Sequence, residues 1–366
     1  MLALSQRLFQ RLPGHRRPAQ AGRRHPPWGL HLRIRGRGVL HAQYKSDPAL
    51  QAAHARAPWI VTWDDHETAN DSWMGGAQNH QPETEGDWNT RKAVALKAYF
   101  EWMPIRAPAP GQGLEDINRA FHFGDLASLI MLETRLTARD YQLHYTRDLP
   151  MVDGKPDVAA LRAKLEDPSR RMMSPAQEAW LAAELTGSVK GGRTWQILGN
   201  QVVMARTDVP SPRAVLGEAA VAAAIATQPE EITARVAQME NLAALGLPYA
   251  LDMWDGYPAA RERVYDAVEA AGARAIVISG DSHAFWANEL HDDGGVLRAV
   301  EFGTTGITSP GAGDYVKGLP VGELYTKGAK EVVYSDHDAK GFILLTLTPE
   351  EARGDLMVVS SIVSRA

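Results

Sequence analysis

Thr62-Trp63-Asp64-Asp65-His66-Glu67 places three carboxylates and one imidazole in four consecutive positions, directly after the apolar run Trp59-Ile60-Val61. Crowded anions repel and are costly to desolvate, so such a cluster implies a cation or a proton-transfer task that offsets the cost; its bland reading is an exposed acidic loop. A second cluster, Gly280-Asp281-Ser282-His283, follows the apolar run Ala275 to Ser279. Both runs are short and β-branched, which predicts buried strands, and open α/β sheets place their chemistry at the carboxyl ends of strands. Carboxylate and imidazole groups arriving from two strand ends suit a di- or trinuclear metal site that activates water for attack at phosphorus.

The elements that must position these clusters follow from local signals. Asp47-Pro48 opens a helix that ends before Pro58, since Asp caps and Pro fits the first helical position. Ala69 to Trp88, rich in Gly, Asn and Asp without period, reads as a long surface loop, and Thr90 to Trp102 returns to helical spacing. Phe121 to Phe123 and Leu126 to Leu132 read as a hairpin turned at Gly124-Asp125, with a companion strand from Trp195 interrupted at Gly199-Asn200. Helices are predicted over Pro175 to Leu185, stopped by Gly187, and over Pro258 to Ala270, closed by Gly272. Leu216 to Leu245, Ala-rich and broken at Pro229, predicts two surface helices in an insertion or lid at about 213–247. Ala284 onward predicts a short helix through Trp286 and Leu290. Three more strands are expected at Leu297 to Phe302, Gly341 to Leu347 and Asp355 to Ile362.

The 366 residues, 45% of them hydrophobic, suffice for one main domain with insertions. Nine of the 39 basic residues and none of the 44 acidic ones lie in 1–41, so the remainder carries 30 basic against 44 acidic groups. An acidic body argues against a stable nucleic-acid partner and fits an enzyme that holds cations. The chain has no Cys, which excludes disulfides and thiolate ligands. No apolar stretch of about 18 residues occurs, so no membrane span is expected.

Three ordered runs, WDDHETAN followed by Trp73, LDMWDGYPAAR and ISGDSHAFWANEL, resemble the alkaline phosphatase D (PhoD-like) family of metallophosphatases from about Ala42 onward. The resemblance implies an α/β fold, a four-layer α/β/β/α calcineurin-like sandwich. It also implies hydrolysis of phosphate monoesters or diesters, an iron plus calcium centre, and a periplasmic or secreted location. By the same resemblance Asp65 is a metal ligand, His66 is the catalytic donor to the leaving oxygen, and Asp281 and His283 are further ligands. Asp64 and Glu67 read as outer carboxylates that orient the imidazole and the metal. Asn70, Asn200 and Arg261 are weaker candidates; Arg261 either clamps a phosphate or pairs with Asp252 or Asp255. The bland alternatives are that Glu67 merely orients His66, that Asp281 and His283 cap a helix starting at Ala284, and that Trp73, Trp254 and Trp286 are packing.

The sequence departs from the family pattern in its first half. The family's Gly-Asp-x-Ile-Tyr-Glu motif, whose Asp bridges the metals, and its iron-binding Cys do not precede Asp64. Losing a bridging carboxylate weakens metal affinity, so impaired activity or a dead remnant is the alternative outcome, and iron is the less expected of the two metals. Residues 1–41 alternate Arg, Pro, Gly and His without period. They read as a disordered segment, from a transit peptide or from a start that is not the natural one, leaving the sandwich incomplete at its N-terminal edge. Two readings of other classes remain: a Gly-Asp-Ser serine hydrolase at Ser282, and polyanion binding through the Arg-rich start. A phosphate ester is the expected partner and a monomer the expected state.

Overall fold

The computed structural model describes residues 37–226, 228–316 and 318–363. The expectations for residues 1–36 lie outside the described residues. The chain divides into two compact units, one made of the described residues up to Ile117, Glu133–Tyr141 and those from Val359 on, the other of Asn118–Leu132 and Gln142–Val358.

The first unit holds α1 (Arg37–Lys45), α2 (Pro48–Arg56), α3 (Pro82–Glu85) and α4 (Trp88–Trp102). Asp47 caps α2 as expected, accepting from the amides of Ala49 and Leu50 at 2.9 Å, and Asp87 caps α4 through Thr90 N. Helix α1 begins inside the stretch read as irregular. His41 stacks parallel on Trp102 and edge-on to Tyr99, so contact with α4 outweighs a composition unfavourable to helix. The predicted strand Trp59 to Val61 is extended but belongs to none of the named strands. Its burial alternates through Val61, Trp63 and Asp65, as a strand's would, because it lies against a core of Trp88, Leu96, Tyr99 and Met103 drawn mainly from helices.

The second unit contains β1 (Arg119–Phe123), β2 (Ala127–Met131), α5 (Tyr145–Asp148), β3 (Met151–Val152), β4 (Lys155–Pro156), α6 (Val158–Leu165), α7 (Pro175–Lys190) and β5 (Trp195–Gly199). It continues with α8 (Pro212–Leu216), α9 (Glu218–Ile225), α10 (Glu230–Leu245), α11 (Pro258–Ala271), β6 (Ala275–Ser279), β7 (Phe285–His291) and β8 (Leu297–Gly303). It closes with α12 (Ala312–Tyr315), α13 (Val321–Gly328), β9 (Val332–Asp336), β10 (Gly341–Leu347) and β11 (Ala352–Val358). Seven strands form a mixed sheet in the order β1-β2-β5-β6-β8-β7-β9. Its middle four run parallel, and β2, β5 and β6 are buried at every position, as sheets covered on both faces require.

Alternate residues of these strands serve opposite faces. Ile130, Leu198, Val277 and Ala299 join one core with Leu181 and Leu185 of α7 and Val264 and Val268 of α11. On the other face the hairpin β10–β11 lies across the sheet. A Cβ on Gly354 would meet the Phe302 ring at 2.6 Å, and the Trp195 indole donates to Thr348 O at 2.7 Å. Helices, large sheet and small sheet therefore stack in the α/β/β order of a metallophosphatase-like sandwich.

Four elements differ from expectation. Helix α7 runs through Gly187 to Lys190, since a helical Gly costs only ~1 kcal/mol and the buried Ser188 is tied to Ser128 of β2 at 2.7 Å. Trp286 to Leu290 is strand, not helix. Pairing with β8 on one side and β9 on the other overrides the helix-forming Ala, Glu and Leu, and its burial alternates. The last strand lies three residues earlier than predicted, in register with β10. Leu216 to Leu245 forms the two helices expected, α9 and α10 with the break at Pro229, but Val221, Ile232, Val236, Met239 and Leu242 are buried, so the pair packs into the core instead of lying on it.

Candidate metal-ligating loops

In the first unit, Trp63 sets the approach. Its ring meets Tyr99 and Phe100 edge-on at 5.4 and 6.3 Å, and its indole N–H donates to Glu133 Oε1 at 3.0 Å. The chain then turns on Asp65, which is buried. Its carbonyl accepts from the amides of Thr68 and Ala69 at 2.8 Å, and its carboxylate accepts from His66 N and Asp71 N at 2.7 Å each. Two backbone donors fix the orientation of this carboxylate within the turn. Asp64 Oδ1 accepts from Nε of the fully buried Arg135 at 2.6 Å. Glu67 Oε2 accepts from Asp64 N at 2.8 Å, so this carboxylate shapes the turn through the backbone. His66 is exposed, with Nε2 3.8 Å from Asp65 Oδ2. Asn70 is spent on the following loop, bonded to Asn79 and to Gln78.

In the second unit, β6 delivers the other cluster at its carboxyl end, as the sequence implied. Asp281 and His283 both adopt left-handed backbone, φ 64° and 56°, a conformation that Asp and His tolerate better than most residues. Neither caps a helix, because a strand follows. His283 Nδ1 lies 2.7 Å from Pro310 O. A carbonyl can only accept, so Nδ1 carries a proton, and Nε2 is the nitrogen left to face a metal, the arrangement of a metal-binding imidazole. Thr305 Oγ1 lies within 2.9 Å of both His283 O and Ala339 O. Oxygen and imidazole donors on both loops thus fit a hard or borderline cation.

The remaining candidates are structural in their contacts. Asn200 is buried at the end of β5; its side chain bonds Val202 O and accepts from the Trp254 indole at 3.3 Å. Of its two readings, Arg261 has the ion pair: it is buried against Asp255 at 2.8 Å, and Asp255 in turn accepts from Thr207. Trp254 and Trp286 are fully buried, and Trp73 stands edge-on to Tyr141 at 5.6 Å. Ser282 Oγ accepts the Trp286 indole N–H at 2.8 Å, and neither ring nitrogen of the buried His337 has a hydrogen-bond partner, so a Ser–His nucleophile pair is not formed.

Sequence reasoning missed Glu133, Arg135 and Arg139, all fully buried. Glu133 accepts from Trp63, from the amides of Arg135, Leu136 and Thr137, and from the Thr137 hydroxyl. The signal was available: Glu133 to Asp140 brings four charged residues directly after a buried parallel strand, the same context that singled out the two clusters.

A PhoD-like phosphatase family model matches residues 35–356. The chain is 30% identical over 325 residues to alkaline phosphatase D of Bacillus subtilis (strain 168), covering 87% of this chain and 47% of that protein. A solved structure described as the structure of PhoD superposes with a TM-score of 0.67 at 27% identity, covering 92% of this chain and 56% of that one. The chain thus spans about half the length of the proteins it matches. Over the part it does span, it belongs to the PhoD-like phosphatase family.

Proposed function

We propose that this chain carries out metal-dependent hydrolysis of phosphate mono- or diesters, with Asp65, Asp281 and His283 as ligands and His66 as proton donor to the leaving oxygen. The observation that carries it is the Nδ1–Pro310 hydrogen bond, which leaves Nε2 as the ligating nitrogen of His283, on the same loop as Asp281. A bound cation supplies Lewis acidity toward a phosphoryl oxygen and acidifies water. The chain's own groups do the rest. Asp65 is oriented by its two backbone donors, Arg135 pairs with Asp64 so that the adjacent carboxylates repel less, and the exposed His66 opens to solvent. Calcium suits the oxygen donors; iron, expected from the family, would bind here without a thiolate.

The test is elemental analysis of the purified chain, with hydrolysis of an aryl phosphate monoester and a bis-aryl diester at alkaline pH with added calcium and iron. Vanadate-sensitive, metal-stimulated hydrolysis that His283→Ala lowers at least about hundredfold is the expected outcome, since removal of a metal's supporting groups typically costs 10–100-fold and a direct ligand more. A folded chain that takes up no metal and hydrolyses neither ester sinks the reading.

A further inference from the structure

The loop Gly280 to His283 contains two left-handed non-glycine residues separated by one, Asp281 and His283. Each such conformation is less favourable than the right-handed one even for Asp and His, so ties to neighbouring elements help to hold the pair. Four ties are present. Gly280 N donates to Gln201 O at 3.1 Å, His283 O accepts from Thr305, His283 Nδ1 donates to Pro310 O, and Ser282 Oγ accepts from Trp286 Nε1. The first three fix the ends of the loop. Ser282 N donates to Gly280 O at 2.7 Å within the loop, and the last tie holds the Ser282 side chain, between the two left-handed positions, to the following strand.

The indole is placed for that contact from three sides. Trp286 stands opposite Gly303 across β7 and β8, and a Cβ on Gly303 would lie 2.8 Å from Trp286 Cδ1, so the missing side chain makes room for the ring. Tyr325 and His337 meet the ring edge-on at 5.2 and 5.1 Å and are parallel to each other, walling it from the side. Simple packing would use the ring and leave the orientation of its N–H indifferent. Here a ring only 2% exposed aims its single donor at a hydroxyl four residues earlier in the chain.

We propose that Trp286 is a positioning residue for the candidate metal ligands. Its indole N–H, through Ser282 Oγ, holds Asp281 and His283 in the paired left-handed conformations from which both can ligate, although the indole touches neither side chain. This rests on the metallophosphatase reading above.

The test uses Trp286→Phe, which keeps a ring and removes the donor, Ser282→Ala, which removes the acceptor, the double variant, and Ser282→Thr, which restores a hydroxyl. Calcium affinity is measured by calorimetry, amide hydrogen exchange of residues 280–284 by mass spectrometry, and thermal midpoint by calorimetric scan. Loss of one neutral hydrogen bond should weaken calcium binding about fivefold in each single variant. The double variant should be no worse than either single one, exchange at 280–284 should accelerate with the metal absent, and Ser282→Thr should bind as the native chain does. A merely structural tryptophan would lower the midpoint in Trp286→Phe while Ser282→Ala kept native affinity and exchange, and that outcome overturns the proposal alone. A native chain that binds no calcium overturns this proposal together with the reading it rests on.

Discussion

The two candidate ligand loops use the same residue types and draw their support from different ranges of the chain. Thr62 to Asp71 makes most of its turn from its own hydrogen bonds, with Arg135 on Asp64 and Glu133 on Trp63 as its ties from afar. Asp65 caps its own turn through backbone amides up to six residues on, and Glu67 caps Asp64. Gly280 to His283 leans more on groups distant in sequence, Gln201, Thr305 and Pro310, with Trp286 of the following strand four residues on from Ser282. Each loop also rests on one buried glutamate. Glu133 gathers donors within four residues of itself plus Trp63, whereas Glu301, on β8, joins Ser279 and Asn288 of two other strands to the amides of Met204 and Ala205. A loop built from local hydrogen bonds can form wherever its few residues are together; one built from cross-strand ties requires the finished sheet.

The largest expected effect comes from removing those glutamates. Glu301→Ala strands four buried donors and Glu133→Ala at least four, so each should destabilise by roughly 4 kcal/mol or more, the range reached when a buried polar network is broken. Urea melts followed by far-UV circular dichroism check the magnitude. Hydrogen exchange sharpens the comparison: Glu301→Ala should release protection at 200–205, 275–291 and 280–284 together, while Glu133→Ala should release mainly 62–71 and 133–140. Equal spread in both variants would show that the local and cross-strand constructions do not differ in reach.

Acid should separate the loops next. His337 lies under the second loop, stacked on Tyr325 and edge-on to Trp286, with Asp336 and Lys340 as its charged neighbours. Burial pushes its imidazole down to about 4, from an ordinary value of 6.5. Between those values the unfolded chain binds a proton that the folded one refuses, so stability is full above about 6.5 and falls as pH drops toward 4. The loss amounts to about 3 kcal/mol, at about 1.36 kcal/mol for each pH unit that separates the two values. Exchange at 280–284 and 332–340 should therefore rise more on going from pH 7 to pH 4.5 than exchange at 62–71, and His337→Phe should abolish the difference. If both loops loosen equally, His337 is not the acid-sensitive group.

How much of this was legible in the sequence follows the same division. Helices α2, α4 and α11 were readable because Asp47, Pro258 and Gly272 are local signals whose physics needs no partner, and the buried strands β2, β5 and β6 announced themselves as apolar runs. Phe285 to His291 was misread because its strand state is imposed by β8 and β9 on either side, information that a seven-residue window does not contain. Trp59 to Val61 failed in the other direction: apolar and extended, it is packed mainly by helices. At the sites, residue type and position after an apolar run marked Asp65, Asp281 and His283. The supports Glu301 and Pro310 act at a distance in sequence and carried no motif of their own, whereas Glu133 stood in a charged run after a buried strand and was readable.

The smallest expected effect isolates backbone strain at the second loop. Asp281 has φ 64°, so the same truncation should depend on what replaces it. Asp281→Gly and Asp281→Ala both remove the carboxylate with whatever it contacts, and those losses cancel in their difference. What remains is the left-handed backbone, which Gly adopts freely and Ala does not, so the Gly variant should be the more stable by about 1 kcal/mol. At Ser282, which is not among the positive-φ residues, the order should reverse, because Gly gives the unfolded chain more entropy to lose. The first loop supplies the parallel test at Asp71, φ 48°, where Gly should again exceed Ala. Thermal midpoints of the six variants decide the matter. An Ala variant as stable as the Gly variant at position 281 would mean that the loop relaxes out of its left-handed pair at little cost, and the case for external ties holding Asp281 and His283 in place would fail with it.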